Sequence, residues 1–336
     1  MNPHIFTSKP QKEYALLDSG DGMKLERYGD AQTGVKVARP DPQALWRKNL
    51  SEKEWRSADA YFAKDKDANK KSSLNESGES ESERGKWVIS RPNLPETWPI
   101  SFGDLKMNIK LTPFKHTGIF PEQLNNWLWC REVIKDEILH RKGKLSQSNS
   151  QTDSQNNQNN SENPDNKPTV LNLFGYTGGA SLSAALGGAS VTHVDASRAA
   201  ITWANDNAKS SGLEEAPIRW ILDDAFAFVK REIRRGKKYD AIIMDPPSYG
   251  RGAKGEIWKI EDHFLDFFED CLKLLSDTPL FVVVNGYAAG YSAIAYANNM
   301  KVLTERYGGT LESGELTLTA EDGRILPCGI VSRWKK

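Results

Sequence analysis

Cysteine is scarce in this chain, and its spacing suits neither a disulfide framework nor a zinc site. Only three cysteines occur in 336 residues, at Cys130, Cys271 and Cys328. Disulfide frameworks need cysteines in pairs, and zinc sites need cysteine and histidine clustered at short spacing. The odd number and the wide separation argue against both kinds of site, predict no bound metal and favour a reducing compartment.

The chain also has no excess of one charge and no long apolar run. Lysine plus arginine and aspartate plus glutamate both number 45, so the net charge is zero. Any contact with nucleic acid must therefore come from local basic patches. No apolar stretch is long enough to span a bilayer, and the first ten residues, MNPHIFTSKP, lack the pattern of a secretory signal. We expect a soluble cytoplasmic protein with no membrane partner.

Two polar segments account for much of the low mean hydropathy of −0.61. Residues 64–86 are rich in Lys, Ser and Glu, and residues 145–168 are rich in Ser, Asn and Gln. Such compositions cannot bury enough apolar surface to offset the entropy of ordering the chain. They predict a flexible loop at 64–86 and a disordered insertion at 145–168.

The N-terminal third, residues 1–115, has the pattern of a small β-rich domain. Short apolar runs separated by glycines predict an antiparallel meander over residues 14–39, and two or three further strands follow over residues 85–112. We expect Trp55, Tyr61 and Phe62 to pack on the meander.

Residues 116–336 predict a second domain in which strands and helices alternate. A helix begins at Phe120-Pro121-Glu122, with proline in its first turn. From Val170 onward, five apolar strands alternate with amphipathic helices, which indicates an α/β fold with a Rossmann-like, doubly wound, mostly parallel sheet. The tail after residue 313 has strand character and predicts an antiparallel hairpin at the edge of this sheet.

A glycine turn follows the first of these strands and is the first candidate site. We expect Phe174, Gly175, Thr177, Gly178 and Gly179 to hold a ligand, because open α/β sheets bind ligands at the carboxyl ends of their strands. A dinucleotide fingerprint needs a glycine where Thr177 stands, and a phosphate P-loop needs a lysine after the glycines. S-adenosylmethionine, which has an amino-acid tail and a ribose but no phosphate, suits the turn better.

Acidic residues follow the next two strands. Asp195 lies 20 residues after Gly175, where a carboxylate can accept both ribose hydroxyls of such a cofactor. Asp224, after the third strand, is placed to meet the adenine amino group. The candidate cofactor-binding residues therefore extend to two short segments that follow these strands: Asp195, Ala196, Ser197 and Asp223, Asp224, Ala225. An ordinary helix-packing turn is the structural alternative.

The fourth strand ends in the segment Asp245, Pro246, Pro247, Ser248, Tyr249, which we interpret as the catalytic motif. Two prolines fix φ and remove two N–H groups, so the carbonyl groups are expected to point outward as acceptors. Together with the Asp245 carboxylate they can orient an amino group or ring nitrogen towards a methyl donor. A loop start with a capping aspartate is the alternative interpretation.

At these residues the chain resembles the class I S-adenosylmethionine-dependent methyltransferases, in particular the group of bacterial large-subunit ribosomal RNA cytosine-C5 and guanine-N7 enzymes. The matching stretches cover most of the chain apart from the two polar segments: PDPQALW (40–46), HTGIFPEQ (116–123), NLFGYTGGAS (172–181), VDAS (194–197), DDAF (223–226), DPPSYGRG (245–252) and the ending LPCGIVSRW. The resemblance implies that Phe120 and Gln123 approach the cofactor. Relatives often continue this motif with an acid, Gln and Arg, whereas this chain reads Glu122-Gln123-Leu124.

The cysteine positions bear on the atom that is methylated. Cytosine-C5 transfer needs a thiolate that adds to the ring, and no cysteine follows the fourth or fifth strand. We therefore favour transfer to a base nitrogen of RNA, with ribosomal RNA as the expected partner and Arg251, Lys254 and Lys259 as phosphate contacts. Methylation of a protein or small molecule, a non-catalytic RNA-binding relative and an NAD-dependent oxidoreductase remain as alternatives.

Overall fold

A computed structural model describes residues 4–64, 85–148, 167–251, 257–287 and 290–336. Most of the predicted loop at 64–86 and of the predicted insertion at 145–168 lies outside these residues, as does Lys254. In chain order the strands are β1 (His4–Ser8), β2 (Tyr14–Gly20), β3 (Met23–Tyr28), β4 (Val35–Pro40), β5 (Ala60–Lys64), β6 (Gly85–Ile89), β7 (Thr97–Phe102), β8 (Leu105–Lys110), β9 (Thr169–Leu173), β10 (Ser190–Asp195), β11 (Ile218–Leu222), β12 (Ala241–Met244), β13 (Tyr249–Arg251), β14 (Ile257–Lys259), β15 (Phe281–Gly286), β16 (Thr310–Thr319) and β17 (Ile325–Lys335). The helices are α1 (Glu52–Arg56), α2 (Leu124–Ser148), α3 (Gly179–Leu186), α4 (Arg198–Ser210), α5 (Ala225–Arg234), α6 (Ile260–Leu272) and α7 (Ala293–Tyr307), and a 3-10 turn, Pro121–Gln123, precedes α2.

The large sheet has the strand order β1-β16-β17-β15-β12-β9-β10-β11. Strands β9, β10, β11, β12 and β15 pair in parallel, so their carboxyl ends meet at one edge. Strands β12 and β15 are buried along their whole length, as expected for parallel strands covered by helices on both faces. The predicted α/β class is confirmed, and β9 is the strand at which the order reverses, where a ligand is expected.

The C-terminal hairpin is antiparallel as predicted, but it does not end the sheet. Strand β17 pairs antiparallel with both β15 and β16, and β1 pairs in parallel with the other side of β16. The prediction that the hairpin forms the sheet edge was therefore wrong. The short run of β1 lies far from its partner in the sequence, so local pattern contained no sign of this pairing.

A separate five-stranded sheet, in the order β2-β3-β4-β5-β6, confirms the β-rich N-terminal unit and its meander. Trp55 and Phe62 are buried as expected, whereas Tyr61 is 48% exposed. Neighbouring residues of a strand point to opposite faces, which is why Phe62 packs inward and Tyr61 does not.

One hydrophobic cluster joins this unit to the large sheet. It contains Tyr14 and Tyr28 from the N-terminal strands together with Leu182 of α3 and Leu318 of β16. Strand β1, from the start of the chain, belongs to the large sheet, and this core spans both units, so the division at residue 115 stays a prediction.

Candidate active site

The glycine turn after β9 has an unusual backbone conformation. Phe174 has φ 59° and Tyr176 has φ 49°, and Gly178 follows with φ 89°. Left-handed conformations are uncommon for residues with side chains, and they cluster where the surrounding structure holds them for a function. Here two backbone hydrogen bonds hold the turn: the Gly175 N–H donates to Val194 O, and the Gly178 N–H donates to Gly175 O, both at 3.0 Å.

Two glycines of the turn are required by close packing. A Cβ atom at Gly175 would lie 2.3 Å from Cε1 of His193, and one at Gly179 would lie 2.2 Å from the Trp127 ring. No side chain fits at either position without moving its neighbour. Glycine thus lets β10 and α2 approach the turn closely.

Asp195, at the end of β10, is oriented by the turn itself. Its Oδ2 atom accepts from the Tyr176 N–H and its Oδ1 atom accepts from the Ser197 N–H, each at 2.8 Å. Burial raises the pKa of this carboxyl, while the two backbone N–H groups oppose that change. Each carboxylate oxygen can accept more than one hydrogen bond, so both oxygens of Asp195 keep acceptor capacity.

Thr177 is buried and contacts the segment before α2. Its side chain is 3% exposed, and its hydroxyl donates to Gly118 O at 2.6 Å. Its own carbonyl accepts from the Asn207 side chain at 2.9 Å. We infer that Thr177 keeps the turn in place by joining it to the segment before α2.

The acids after β11 are partly occupied by structural roles. Asp223 forms an ion pair with Arg231 at 2.5 Å and accepts from the Asp224 N–H. Asp224 is the N-cap of α5, because its Oδ1 atom accepts from the Ala227 N–H at 2.9 Å. The cap uses the Oδ1 atom, and Oδ2 is the other acceptor of this carboxylate. In the same way Ser197 caps α4, while Ala196 is exposed and Ala225 is buried.

Three aromatic rings surround Phe120 beside the glycine turn. The Phe120 ring lies 5.5 Å from both Tyr176 and Tyr287, and 5.4 Å from His116. Phe120, Tyr176 and His116 are all partly exposed. Half-buried rings of this kind offer flat surfaces on which a base can stack. Phe120 was among the residues expected at the site. Tyr287 was not, because only its position after β15, at a strand end, pointed to it in the sequence.

Gln123 belongs to a buried polar network. Its Nε2 atom donates to the Tyr287 hydroxyl at 2.7 Å, and its Oε1 atom accepts from Asn126 at 3.0 Å. Asn126 also donates to Asn285 at the end of β15. Both the nitrogen and the oxygen of the Gln123 amide are therefore hydrogen-bonded within the chain. Through the first of these bonds Gln123 positions the Tyr287 ring beside Phe120.

The segment after β12 places Asp245 at the same sheet edge. Burial, together with the negative charge of Glu122, raises the pKa of Asp245 to about 7. Pro246 is buried, and Pro247 and Ser248 are exposed. A carboxyl that titrates near neutrality at the end of a sheet strand is a strong candidate for proton transfer.

The carbonyl groups of this segment differ from expectation. The Trp258 indole donates to Pro247 O at 2.6 Å, and the Ile260 N–H donates to Ser248 O at 3.1 Å. Tyr249 begins β13, which pairs with β14 in a short hairpin that the sequence did not predict. The Pro247 and Ser248 carbonyls are therefore acceptors, but their partners come from the chain itself because the hairpin folds back on them.

None of the three cysteines is activated. Cys130 and Cys271 are buried, and Cys328 is partly exposed on β17. Burial raises the pKa of all three thiols, that of Cys130 to about 12. Within the described residues, no group of three or more His, Cys, Asp or Glu side chains could hold a metal ion. No helix in that part of the chain is long and apolar enough to cross a membrane.

Comparison with known proteins adds family information. A family model described as S-adenosylmethionine-dependent methyltransferase matches residues 156–277. The crystal structure of the SAM-dependent methyltransferase from Agrobacterium tumefaciens superposes with a TM-score of 0.80 at 37% identity, and the match covers 100% of this chain and 94% of that one.

Two named relatives match shorter stretches. Ribosomal RNA large subunit methyltransferase K/L of Shewanella baltica is 37% identical over 118 residues, which is 34% of this chain and 16% of that protein. Ribosomal RNA large subunit methyltransferase I of Klebsiella pneumoniae is 41% identical over 81 residues, or 24% of this chain and 20% of that protein. The similarity to these relatives thus spans about a fifth or less of their length.

Proposed function

Because this chain belongs to the S-adenosylmethionine-dependent methyltransferases, we propose that it transfers a methyl group to a base nitrogen of RNA, with ribosomal RNA as the favoured substrate. The observation that carries the proposal is the similarity of a 118-residue stretch to a protein named ribosomal RNA large subunit methyltransferase K/L. A reducing cytoplasmic compartment fits the three free cysteines.

The residues at the sheet edge fit the methyl donor. Asp195 would accept the two ribose hydroxyls, since each of its oxygens keeps acceptor capacity after one backbone hydrogen bond. The Oδ2 atom of Asp224 would accept from the adenine amino group. The half-buried Phe120 and Phe174 supply apolar surface beside the turn. When bound, S-adenosylmethionine supplies a methyl group on a positively charged sulfur.

Asp245 is placed to handle the proton of the acceptor. In its ionised form the carboxylate accepts a hydrogen bond from an amino or ring N–H and so directs the nitrogen lone pair towards the methyl group. As the N–CH₃ bond formed and the S–CH₃ bond of the donor broke, leaving a neutral thioether, the nitrogen would have to lose a proton, and Asp245 could take it because its pKa lies near 7. Tyr249, at the start of β13, offers a ring on which the base can stack.

Nitrogen is favoured over carbon because the described residues contain no thiolate at the strand ends. Addition of a cysteine to a pyrimidine ring needs a nucleophilic sulfur, and all three thiols have raised pKa values. Transfer to nitrogen needs only orientation and exclusion of water. Lys259, exposed at the end of β14, is available to contact an RNA phosphate.

A labelling experiment tests this function. The purified chain is incubated with tritiated S-adenosylmethionine and either total RNA or total protein, and RNA that takes up label is digested for mass spectrometry of its nucleosides. We expect label in RNA, as an N-methylated base, and loss of that label with Asp245→Asn. Label only in protein would contradict the RNA proposal, and a C-methylated base would contradict the assignment to nitrogen.

A further inference from the structure

A buried charged cluster lies in the N-terminal sheet, and none of its residues is among the predicted site residues. Arg39 forms a two-point ion pair with Glu26, with Nε–Oε2 and Nη2–Oε1 distances of 2.5 and 3.0 Å. Arg39 also donates to the Tyr28 hydroxyl at 3.2 Å, and the Tyr14 hydroxyl donates to Glu26 at 2.8 Å. Burial alone would raise the pKa of Glu26, but Arg39 and Lys24 lower it to about 2, so the pair stays ionised.

Buried ion pairs add little net stability, because removing both charges from water costs about as much as their attraction returns. A cluster of this kind is therefore better explained by a requirement for precise geometry. Its contacts outside the N-terminal sheet indicate what is being positioned.

Two hydrogen bonds from the cluster reach one short segment, residues 115–118. The Arg39 Nη1 atom donates to Lys115 O at 3.1 Å, and the Tyr28 and Thr117 hydroxyls form a hydrogen bond of 2.9 Å. Lys115 has φ 61°, a left-handed conformation that costs energy for a residue with a side chain. Backbone hydrogen bonds also hold this segment, from the Thr112 N–H to His116 O at 3.0 Å and from the Lys110 N–H to Thr117 O at 3.2 Å, and the cluster adds two contacts from buried side chains.

The same segment contacts the glycine turn. Gly118 O accepts the Thr177 hydroxyl at 2.6 Å, and the His116 ring lies 6.3 Å from the Tyr176 ring. A Cβ atom at Gly118 would lie 2.2 Å from the Trp203 ring, so the segment cannot shift far on that side. Hydrogen bonds thus link both sides of residues 115–118, one side to Tyr28 and Arg39 and the other to Thr177.

We propose that Tyr28 and Arg39 are positioning residues for the cofactor site: they fix residues 115–118, whose Gly118 carbonyl in turn fixes Thr177 and the turn that receives the methyl donor. The N-terminal sheet is then a working part of the cofactor site. This inference rests on the cofactor site of the proposed function, and it is independent of the identity of the methyl acceptor.

Two substitutions in the cluster form a matched pair for the test. Tyr28→Phe and Tyr14→Phe each remove one buried hydroxyl from the same cluster, but only the Tyr28 hydroxyl contacts residues 115–118. Arg39 is left intact, because its loss would leave Glu26 buried without a partner and would threaten folding. Thr117→Val removes the other end of the Tyr28 contact while keeping the shape of the side chain.

Binding of S-adenosylhomocysteine to the full chain is measured by calorimetry, with the melting temperature measured in parallel. We expect Tyr28→Phe and Thr117→Val to raise Kd about threefold to tenfold, the range for one buried hydrogen bond. Tyr14→Phe should change Kd less than about twofold, although it should lower the melting temperature by about as much as Tyr28→Phe does. In the Thr117→Val background, Tyr28→Phe should raise Kd less than it does in the wild type, since their shared contact is already lost and only the Arg39 contact to the Tyr28 hydroxyl remains.

Equal effects of Tyr28→Phe and Tyr14→Phe on Kd would overturn the inference, as would an unchanged Kd in Thr117→Val. Failure of the proposed function has a different signature, namely a wild-type chain that binds S-adenosylhomocysteine but labels no RNA. A wild-type chain that binds no S-adenosylhomocysteine would overturn the cofactor site itself.

Discussion

The imidazole of His193 packs so closely against Gly175 that a Cβ atom there would lie 2.3 Å from ring atom Cε1 and 2.5 Å from Nδ1. Burial lowers the pKa of His193 to about 3, so the ring is neutral at physiological pH. Its Nδ1 atom shares a 2.9 Å hydrogen bond with Ser181, which also accepts from Asn172. A fixed ring from β10 therefore supports the turn after β9.

This contact predicts the effect of adding one methyl group to the turn. Gly175→Ala should destabilise the fold by about 1–3 kcal/mol through overpacking and should weaken binding of S-adenosylhomocysteine in calorimetry. Replacing the opposing ring, in Gly175→Ala/His193→Ala, should restore part of that binding. Gly143→Ala is the control, because no atom lies within 4 Å of its Cβ position. Unchanged stability and affinity in Gly175→Ala would contradict this prediction and would show that the His193 ring can move aside.

Asp195 provides a prediction for the ribose contact. Asp195→Asn keeps the shape of the side chain but replaces one acceptor oxygen by a donor, so the two backbone N–H groups and two ribose hydroxyls can no longer all be accepted. We expect Kd for S-adenosylhomocysteine to rise about tenfold to a hundredfold, the range for hydrogen bonds to a charged group. Asp206→Asn, on the exposed face of α4, serves as the control. Equal affinities of the two variants would exclude Asp195 as a ligand.

Asp245 predicts the pH dependence of the reaction. If its carboxylate accepts the proton, the rate should rise as pH increases through about 7. Glu122→Gln removes a negative charge that raises the pKa of Asp245, so the rising limb should move to lower pH, by up to about one unit. Glu132→Gln, an exposed α2 variant, should leave the profile unchanged. If the rate of Glu122→Gln depends on pH as that of the wild type does, the rise in rate near pH 7 reports the titration of a group other than Asp245.

The same group predicts a trend in stability. Its pKa is about 7 in the folded chain and 3.8 in the reference state, so between these values the folded state binds more protons than the unfolded state. Its contribution should therefore make stability fall as pH rises from about 4 to 7 and level off above that range. Chemical denaturation across this range should show a shallower decline for Asp245→Asn. A decline of equal slope in that variant would assign the trend to other groups.

Cysteine substitutions test the preference for nitrogen. Cys328→Ser should leave kcat within about twofold of the wild type, because no step needs a thiolate. Cys271→Ser should instead lower the free energy of unfolding by about 1–3 kcal/mol, since it buries a hydroxyl in an apolar helix face, again with little change in kcat. Loss of turnover in Cys328→Ser at an unchanged melting temperature would revive thiolate chemistry.

Much of the fold and the position of the site could be predicted from the sequence, because both follow from local pattern. Apolar strands of four to six residues alternate with helices, and parallel strands necessarily place their carboxyl ends at one edge. That rule alone assembles Gly175, Asp195, Asp224 and Asp245. Thr177 stands where a dinucleotide fingerprint has a glycine. This difference favoured S-adenosylmethionine over a dinucleotide, in agreement with the family to which the chain belongs.

Only the tertiary structure decided how these residues act. Thr177 turned out to face Gly118, which lies 59 residues away in the sequence, and Gln123 turned out to hold Tyr287, which lies 164 residues away. The pairing of β1 with β16 and of the Tyr28 and Thr117 hydroxyls is equally remote. Hydrogen bonds between distant side chains leave no periodic trace in the sequence, since they depend on packing that brings the two groups within about 3 Å. The amino-acid sequence by itself determined which residues meet at the sheet edge, and the folded chain decided which hydrogen bonds each of them makes there.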